Sequence, residues 1–287
     1  MNNDLKALKI DYFALMDLRI DYAFKLLFVK GEPRLLISLL NAIFANKKIG
    51  RVITSLTIKN PFLEKESSED KLSILDIRAE LTDGTTILIE MHMYGLGELK
   101  AKTIRSWARA YSEDLEVGSD YSAQLPTIAI AFTNGAVECI STDRDKIHRL
   151  CMIMDVEDNT VFTDAMELHF IDMKAFAKAV NEADSISIED AEETMFAKWL
   201  SIITQKEITN KTIIENACNE EEIFVAVSAL ATQSEDKYVR QAYKRRKDEI
   251  YFYNKSLYQA ERRTEQAEAE IQKLREEIEL LRANQKV

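Results

Sequence analysis

Three polar side chains stand inside two apolar runs that are joined by a turn signal, in the stretch ILDIRAELTDGTTILIEMHMY (74–94). They are Asp76, Glu90 and His92. Burying an unpaired carboxylate costs free energy or shifts its pKa until the group becomes neutral. Two carboxylates in one core hairpin therefore need a salt bridge, a hydrogen-bond network or a metal ion.

The strand register decides whether the two acids can act together. Antiparallel partners share a face of the sheet, so Asp76 faces Glu90 only if the numbers of paired residues sum to an even value near 166. That register leaves the three-residue loop 82–84, a type I turn followed by a left-handed Gly84. A two-residue loop, Asp83-Gly84, puts the acids on opposite faces. The turn permits the first register without demanding it.

In the first register all three polar residues project from one face, and the neighbouring apolar residues pack on the other face. Those apolar residues are Leu75, Ile77, Ile89 and Met91. Arg78 and Glu80 share the polar face. The residues alone therefore leave two interpretations open, an ion-pair lattice on a half-exposed sheet and a site for a divalent cation.

Helices and strands alternate around this hairpin, which predicts an α/β (α+β) domain with a mixed central sheet at about residues 10–185. Helical spacing covers 18–28, with Asp21 and Lys25 at i and i+4, and Pro33 opens a second helix. A helix is expected over 98–117, and strands near 51–61, 127–132 and 166–173. Beyond about residue 186 strand signals stop, and a helical region is expected to residue 255.

The tail, 256–287, carries the clearest periodicity. With Ile271 and Ile278 at heptad position a, and Leu274 and Leu281 at d, the pattern favours a parallel two-stranded coiled coil. The pairs between positions g and e of the two chains are all opposite in charge. The alternative is a single charged helix kept soluble by its own i, i+4 ion pairs.

Composition limits the classes of function. The net charge of −11 argues against a protein that coats nucleic acid by bulk electrostatics, but leaves room for a local basic groove. The run 237–247 gathers Lys244, Arg245 and Arg246 with tyrosines, and is either a phosphate-contacting surface or a solvated helix face. No apolar run is long enough to span a membrane, and three scattered cysteines favour a reducing, cytoplasmic location.

Several stretches together resemble one known family. They are DYAFKLLF (21–28), LLISLLNAIF (35–44), ILDIRAELTDGTTILIEMHM (74–93), AYSEDLEVGSDY (110–121) and LPTIAIAF (125–132). They look like the recombination-promoting nucleases, a putative-transposase branch of the PD-(D/E)xK nuclease superfamily. The likeness runs in order through about residues 17–175, and parts of the following helical region are similar as well.

This resemblance implies a restriction-endonuclease-like core and metal-dependent hydrolysis of DNA. Asp76 matches the motif aspartate and Glu90 the second acid, both expected to bind Mg²⁺, with Mn²⁺ as the alternative. Asp21 matches the family's acidic residue on the first helix. Its other interpretation is an exposed ion pair with Lys25.

His92 departs from the family pattern, because the superfamily usually carries Lys there and this branch commonly carries Gln. Histidine can act as a base near neutral pH, but it does not keep a fixed positive charge. Lys100 and Lys102, on the next helix, are candidates to supply that charge, unless they are ordinary exposed lysines. His148 and His169 lack the spacing of paired ligands and are expected to be ordinary surface or strand residues.

The sequence therefore predicts a cytoplasmic, homodimeric, metal-dependent DNA endonuclease with little sequence specificity, linked to recombination or mobile elements. The rival hypothesis is a nuclease fold that has lost catalysis and serves as a coiled-coil interaction module.

Overall fold

The computed structural model describes most of the chain, in six ranges. They are residues 10–12, 14–59, 77–113, 120–137, 146–182 and 194–284. The chain divides into two compact units, Met1–Tyr243 and Lys244–Val287. The boundaries expected near residues 185 and 255 stay predictions.

A six-stranded mixed sheet forms the centre of the first unit, with strand order β1-β2-β3-β4-β6-β5. The strands are β1 (Leu56–Ile58), β2 (Ile77–Leu81), β3 (Thr86–His92), β4 (Thr127–Thr133), β5 (His148–Asp155) and β6 (Thr160–Asp172). β3, β4 and β6 run parallel, whereas the other neighbouring pairs are antiparallel. The predicted mixed sheet is confirmed.

Helices cover both faces of this sheet. They are α1 (Asp21–Phe28), α2 (Pro33–Asn46), α3 (Leu99–Glu113), α4 (Met173–Glu182), α5 (Met195–Ile203), α6 (Lys211–Ala217), α7 (Glu221–Glu235) and α8 (Lys237–Asn284). α3 packs on one face, through Leu99 and Ala110 against Leu88 of β3. Helices α1, α2 and α4–α7 contribute to the core on the opposite face. This arrangement is the α/β, restriction-endonuclease-like core that the sequence predicts.

The core opposite α3 is built from large aromatic and aliphatic side chains. Phe24 of α1 lies 5.8 Å from Phe132 of β4, and Phe28 lies 5.5 Å from Trp199 of α5, measured between ring centroids. The Trp199 indole N–H donates to Ser38 Oγ over 3.0 Å, so its polar atom is satisfied inside the core. These contacts join helices that are distant in sequence into one packed layer.

The β2–β3 hairpin has the register that can bring the two acids together. Ile77 pairs with Ile89 and Ala79 with Ile87, so that paired numbers sum to 166. The Leu81 N–H donates to Thr85 O, and Gly84 closes the loop at φ +84°. A φ in this left-handed region favours glycine over every residue with a Cβ. Of the two loops that the turn chemistry permits, the structure has the three-residue loop and not the two-residue one.

The remaining differences from the sequence prediction are local. β5 and the helices α4 and α6 have no predicted counterpart of their own, and β6 begins six residues before the predicted strand. The last helix is one continuous element of 48 residues. Within the described ranges, the structure contains no helix with both the length and the apolar character that crossing a membrane requires.

Candidate active site

Glu90 and His92 lie near the carboxyl end of β3, on the face that α3 covers. Side chains alternate between the two faces of a strand, so both residues share a face with Leu88. Ile87 and Ile89 belong to the opposite core, and Met91 packs against it. The predicted division of this strand into an apolar face and a polar face is therefore confirmed for its described residues.

A short hydrogen bond joins the two polar side chains of β3. His92 Nε2 lies 2.7 Å from Glu90 Oε2, and the two side chains are 22% and 11% exposed. Because an ionised carboxylate can only accept hydrogen bonds, Nε2 carries the proton whether the imidazole is neutral or charged. Nδ1 is consequently the nitrogen that can accept a proton from another molecule.

The other charges of the hairpin do not neutralise Glu90. Arg78 reaches across to Glu113 of α3 (2.9 Å), and Glu80 pairs with Lys59 (2.8 Å). Within the described ranges, no lysine or arginine nitrogen lies within 4 Å of the Glu90 carboxylate. The ion-pair lattice is present around the hairpin, but Glu90 is not one of its members.

Asp76, the other predicted metal ligand, lies outside the described residues. Its chain neighbour Ile77 begins β2 opposite Ile89. In the part of the chain that the structure describes, no three His, Cys, Asp or Glu side chains gather in a way that would hold a metal ion. A third side-chain ligand beside Glu90 and His92 would therefore come from beyond those ranges.

The donors present at Glu90 fit a hard divalent cation. A carboxylate has about four lone-pair sites, so the hydrogen bond from His92 leaves Glu90 with oxygen capacity to spare. Mg²⁺ prefers oxygen ligands and binds through one or two carboxylates, while Mn²⁺ also accepts an imidazole nitrogen.

Asp21 is placed differently from the β3 pair. It begins α1, and its Oδ1 accepts a hydrogen bond from the Tyr22 N–H (2.8 Å). α1 packs through Phe24 on Phe132, on the sheet face opposite to that of Glu90. Its assignment to the catalytic site stays a prediction.

The predicted basic residues fall into two groups. Lys100 and Lys102 lie at the start of α3, which covers the face of Glu90, and Lys102 pairs with Glu98 over 3.1 Å. Lys244 and Arg245 are exposed on α8 in the second compact unit. In that unit Arg246 also pairs with Glu249 (3.2 Å). A nucleic-acid-binding role for either group remains a prediction.

His148 and His169 are strand residues, as expected, but both are buried and not on the surface. His148 Nε2 lies 3.0 Å from His169 Nδ1, and His148 Nδ1 lies 2.8 Å from Asn46 Oδ1. Glu167 continues the row, with Oε2 3.5 Å from His169 Nε2 and Oε1 accepting from Arg51 (3.1 Å). The sequence gives no local sign of this buried row, because the rings that cover it, Phe44 and Phe196, come from distant helices.

Burial keeps both of these histidines neutral. It lowers the pKa of His148 to about 2, with smaller contributions from the charges of His169, Lys47 and Lys146. Burial also lowers the pKa of His169, and Glu167 opposes this effect only in part.

Comparison with known proteins identifies one family. The model of the PD-(D/E)XK nuclease family transposases matches residues 18–260, which is most of the chain. No curated protein and no solved structure shows significant similarity to it.

The buried histidines make a prediction about acid stability. A histidine whose pKa is lower when folded binds a proton on unfolding, so the free energy of unfolding falls as pH drops below the unfolded pKa, about 6.5. Each such histidine costs up to about 1.4 kcal/mol per pH unit. Urea unfolding of wild type at pH 8, 7, 6 and 5 should show this loss below pH 6.5.

The variant His148→Gln should lose stability less steeply over the same interval, because one of the two groups no longer titrates. Between pH 8 and 7 the two proteins should have equal slopes, which serves as the internal control. Equal slopes between pH 6.5 and 5 would contradict the assignment of a buried neutral imidazole at this position.

Proposed function

Because the chain belongs to the PD-(D/E)XK nuclease family transposases, we propose that it is a divalent-metal-dependent endonuclease that hydrolyses DNA. The observation that carries the proposal is the Glu90 carboxylate, which is 8% exposed and has an imidazole but no described cation as its partner. Such a group is stabilised by a bound cation. In this family the expected cation is one that binds DNA phosphate as well.

Asp76 is the proposed second ligand. It precedes Ile77 in the chain, and the hairpin register of 166 pairs Ile77 with Ile89, the residue before Glu90. The proposed site consists of the Asp76 and Glu90 carboxylates, and the carbonyl of Met91 is a candidate third oxygen. When bound, Mg²⁺ supplies positive charge at the phosphoryl oxygen and lowers the pKa of an attacking water.

His92 is the proposed base. Its Nε2–H is held by Glu90, which orients the ring and leaves Nδ1 to accept a proton from water. The water oxygen then bonds to phosphorus, one P–O ester bond breaks, and solvent protonates the leaving oxygen. Glu90 thus has two proposed roles, cation ligand and orienting partner of the base. Lys100, Lys102 and Asp21 remain candidates for contacts with the substrate or for positioning.

The tail supports a further part of the proposal, a cytoplasmic homodimer. In α8 the apolar side chains at heptad positions a and d are about half exposed: Ile271 50%, Leu274 52% and Ile278 48%. A helix with such an apolar seam gains stability from a second helix. Two joined chains would raise the local concentration of a second active site and favour cleavage of both DNA strands.

The rival proposal is a nuclease fold without catalysis that acts through the coiled coil. Its motivating observation is His92, which stands where the family carries Lys or Gln. In that case the protein would act through α8, and its function would require neither metal ions nor DNA cleavage.

The nuclease proposal predicts nicking of supercoiled plasmid in Mg²⁺ or Mn²⁺ and none in EDTA. The isosteric variant Glu90→Gln should reduce the rate at least about 100-fold, because it removes a negative charge from the cation and from the base. Agarose gels of the time course measure this effect.

Glu80→Gln is the matched control, since Glu80 lies on the same sheet face in the neighbouring strand but pairs with Lys59. It should nick at the wild-type rate. Folded wild-type protein that cuts in neither metal would contradict the nuclease proposal and favour the rival.

The dimer proposal predicts that Ile271→Asp with Leu274→Asp gives a monomer, because two charges enter the apolar seam of each helix. Size-exclusion chromatography with light scattering measures the mass. Ala269→Asp, at an outward heptad position, should remain a dimer. A monomeric wild type, or a dimer unaffected by the double change, would overturn this part of the proposal.

A further inference from the structure

The carboxyl ends of the three parallel strands form one edge of the sheet. His92 of β3, Thr133 of β4 and Asp172 of β6 lie side by side in one row. β5 is antiparallel to β6, so its first residues lie at this same edge, with His148 opposite Ile171. Ligands of open α/β sheets bind outside the carboxyl ends of the strands, so the surroundings of this edge are a natural binding surface.

Three cations stand along this edge, and we call them the basic edge: Lys146, Arg149 and Lys174. Lys146 precedes β5, Arg149 is the second residue of β5, and Lys174 lies in the first turn of α4. Lys146 and Lys174 are exposed, and Arg149 is partly buried. Within the described ranges none of the three has a carboxylate within ion-pair distance.

Other charges at the basic edge increase its positive character. Lys47, whose ammonium donates to His148 O, has its pKa lowered by burial and then by the charges of Lys146 and Arg149. Asp172, an acid at this edge, is buried, and its Oδ1 accepts from the Ala175 N–H at the start of α4. Burial raises its pKa, whereas backbone hydrogen bonds and the charge of Lys174 oppose this effect. Among the described side chains, this edge therefore carries more cations than acids.

Two clefts lie along the basic edge. Lys146 and Arg149 line one cleft together with Thr133 and Asp172. Lys174 lines the other with Asn134, whose backbone N–H donates to His92 O over 3.0 Å. The lining of the second cleft is thus joined by one backbone hydrogen bond to the end of the strand that carries His92.

Arg149 also shares a sheet row with Glu90. The register runs from Glu90 to Ala131, then to Phe170 and to Arg149, with all four on one face. Three strand spacings separate Glu90 from Arg149, or about 14 Å. This distance equals roughly four nucleotide rises along one strand of duplex DNA.

We propose that the basic edge binds successive phosphates of the DNA strand that leaves the Glu90–His92 site. This inference rests on the proposed nuclease function, and it assigns to these three residues a substrate-binding role that their sequence positions do not reveal. The contacts would be to the backbone and would carry no base specificity. They agree with the weak sequence preference expected from the absence of a recognition motif.

The test measures DNA binding separately from cleavage. A fluorescent 30-base-pair duplex is titrated with Glu90→Gln protein in EDTA at several salt concentrations. The same is done with Glu90→Gln carrying Lys146→Gln, Arg149→Gln and Lys174→Gln. Each phosphate contact contributes about 0.9 to the slope of log affinity against log salt, so the slope should fall by about 2 to 3.

A matched control carries Lys255→Gln, Arg262→Gln and Lys273→Gln, which removes the same residue types from exposed positions of α8 outside its a/d seam. This control should keep the parent slope. The inference is overturned if both triple variants lose equal slope, or if neither does.

The experiment distinguishes a failure of this inference from a failure of the nuclease proposal. If wild type nicks plasmid but the basic-edge variant binds with the parent slope, only the inference fails. If the duplex is not bound and plasmid is not nicked, both fail.

Discussion

The burial of the Glu90 carboxylate is the interaction on which the rest of the account depends. A carboxylate that is nearly covered and that, among the described residues, has an imidazole but no cation against it is unfavourable unless another charge reaches it. Of the described cations on the hairpin and β1 side, Arg78 pairs with Glu113 and Lys59 with Glu80. The fold therefore fixes the position of the Glu90 carboxylate at the carboxyl end of β3. A metal site requires ligands that are preorganised in this way.

The two faces of the sheet have different roles. One face packs against the main core, and the other carries the proposed site. On one face, aromatic and aliphatic side chains from α1, α2 and α5 fix the sheet in place. On the other face, α3 packs against the sheet and leaves the carboxyl end of β3 partly accessible. The buried row from His148 to Glu167 belongs to the first face, so its polar groups serve the core and not the proposed site.

The shared face of Glu90 and His92 could be predicted from local sequence, because residues two apart on one strand point to the same side of the sheet. Gly84 marks the left-handed turn position, and strand alternation then fixes which face Glu90 and His92 occupy. The burial of His148 and the positions of Lys146, Arg149 and Lys174 along one edge of the sheet could not be predicted in the same way. They follow from contacts between β5, β6 and helices far apart in sequence, and β5 itself lacks a clear alternation of polar and apolar residues.

The most direct test of the central claim is the binding of Mn²⁺ without DNA, followed by the electron paramagnetic resonance signal of the free ion. The account predicts one site per chain in wild type and in Glu80→Gln, and loss of that site in both Asp76→Asn and Glu90→Gln. Equal Mn²⁺ binding by all four proteins, or no binding by folded wild type, would contradict the claim that these two carboxylates share a cation.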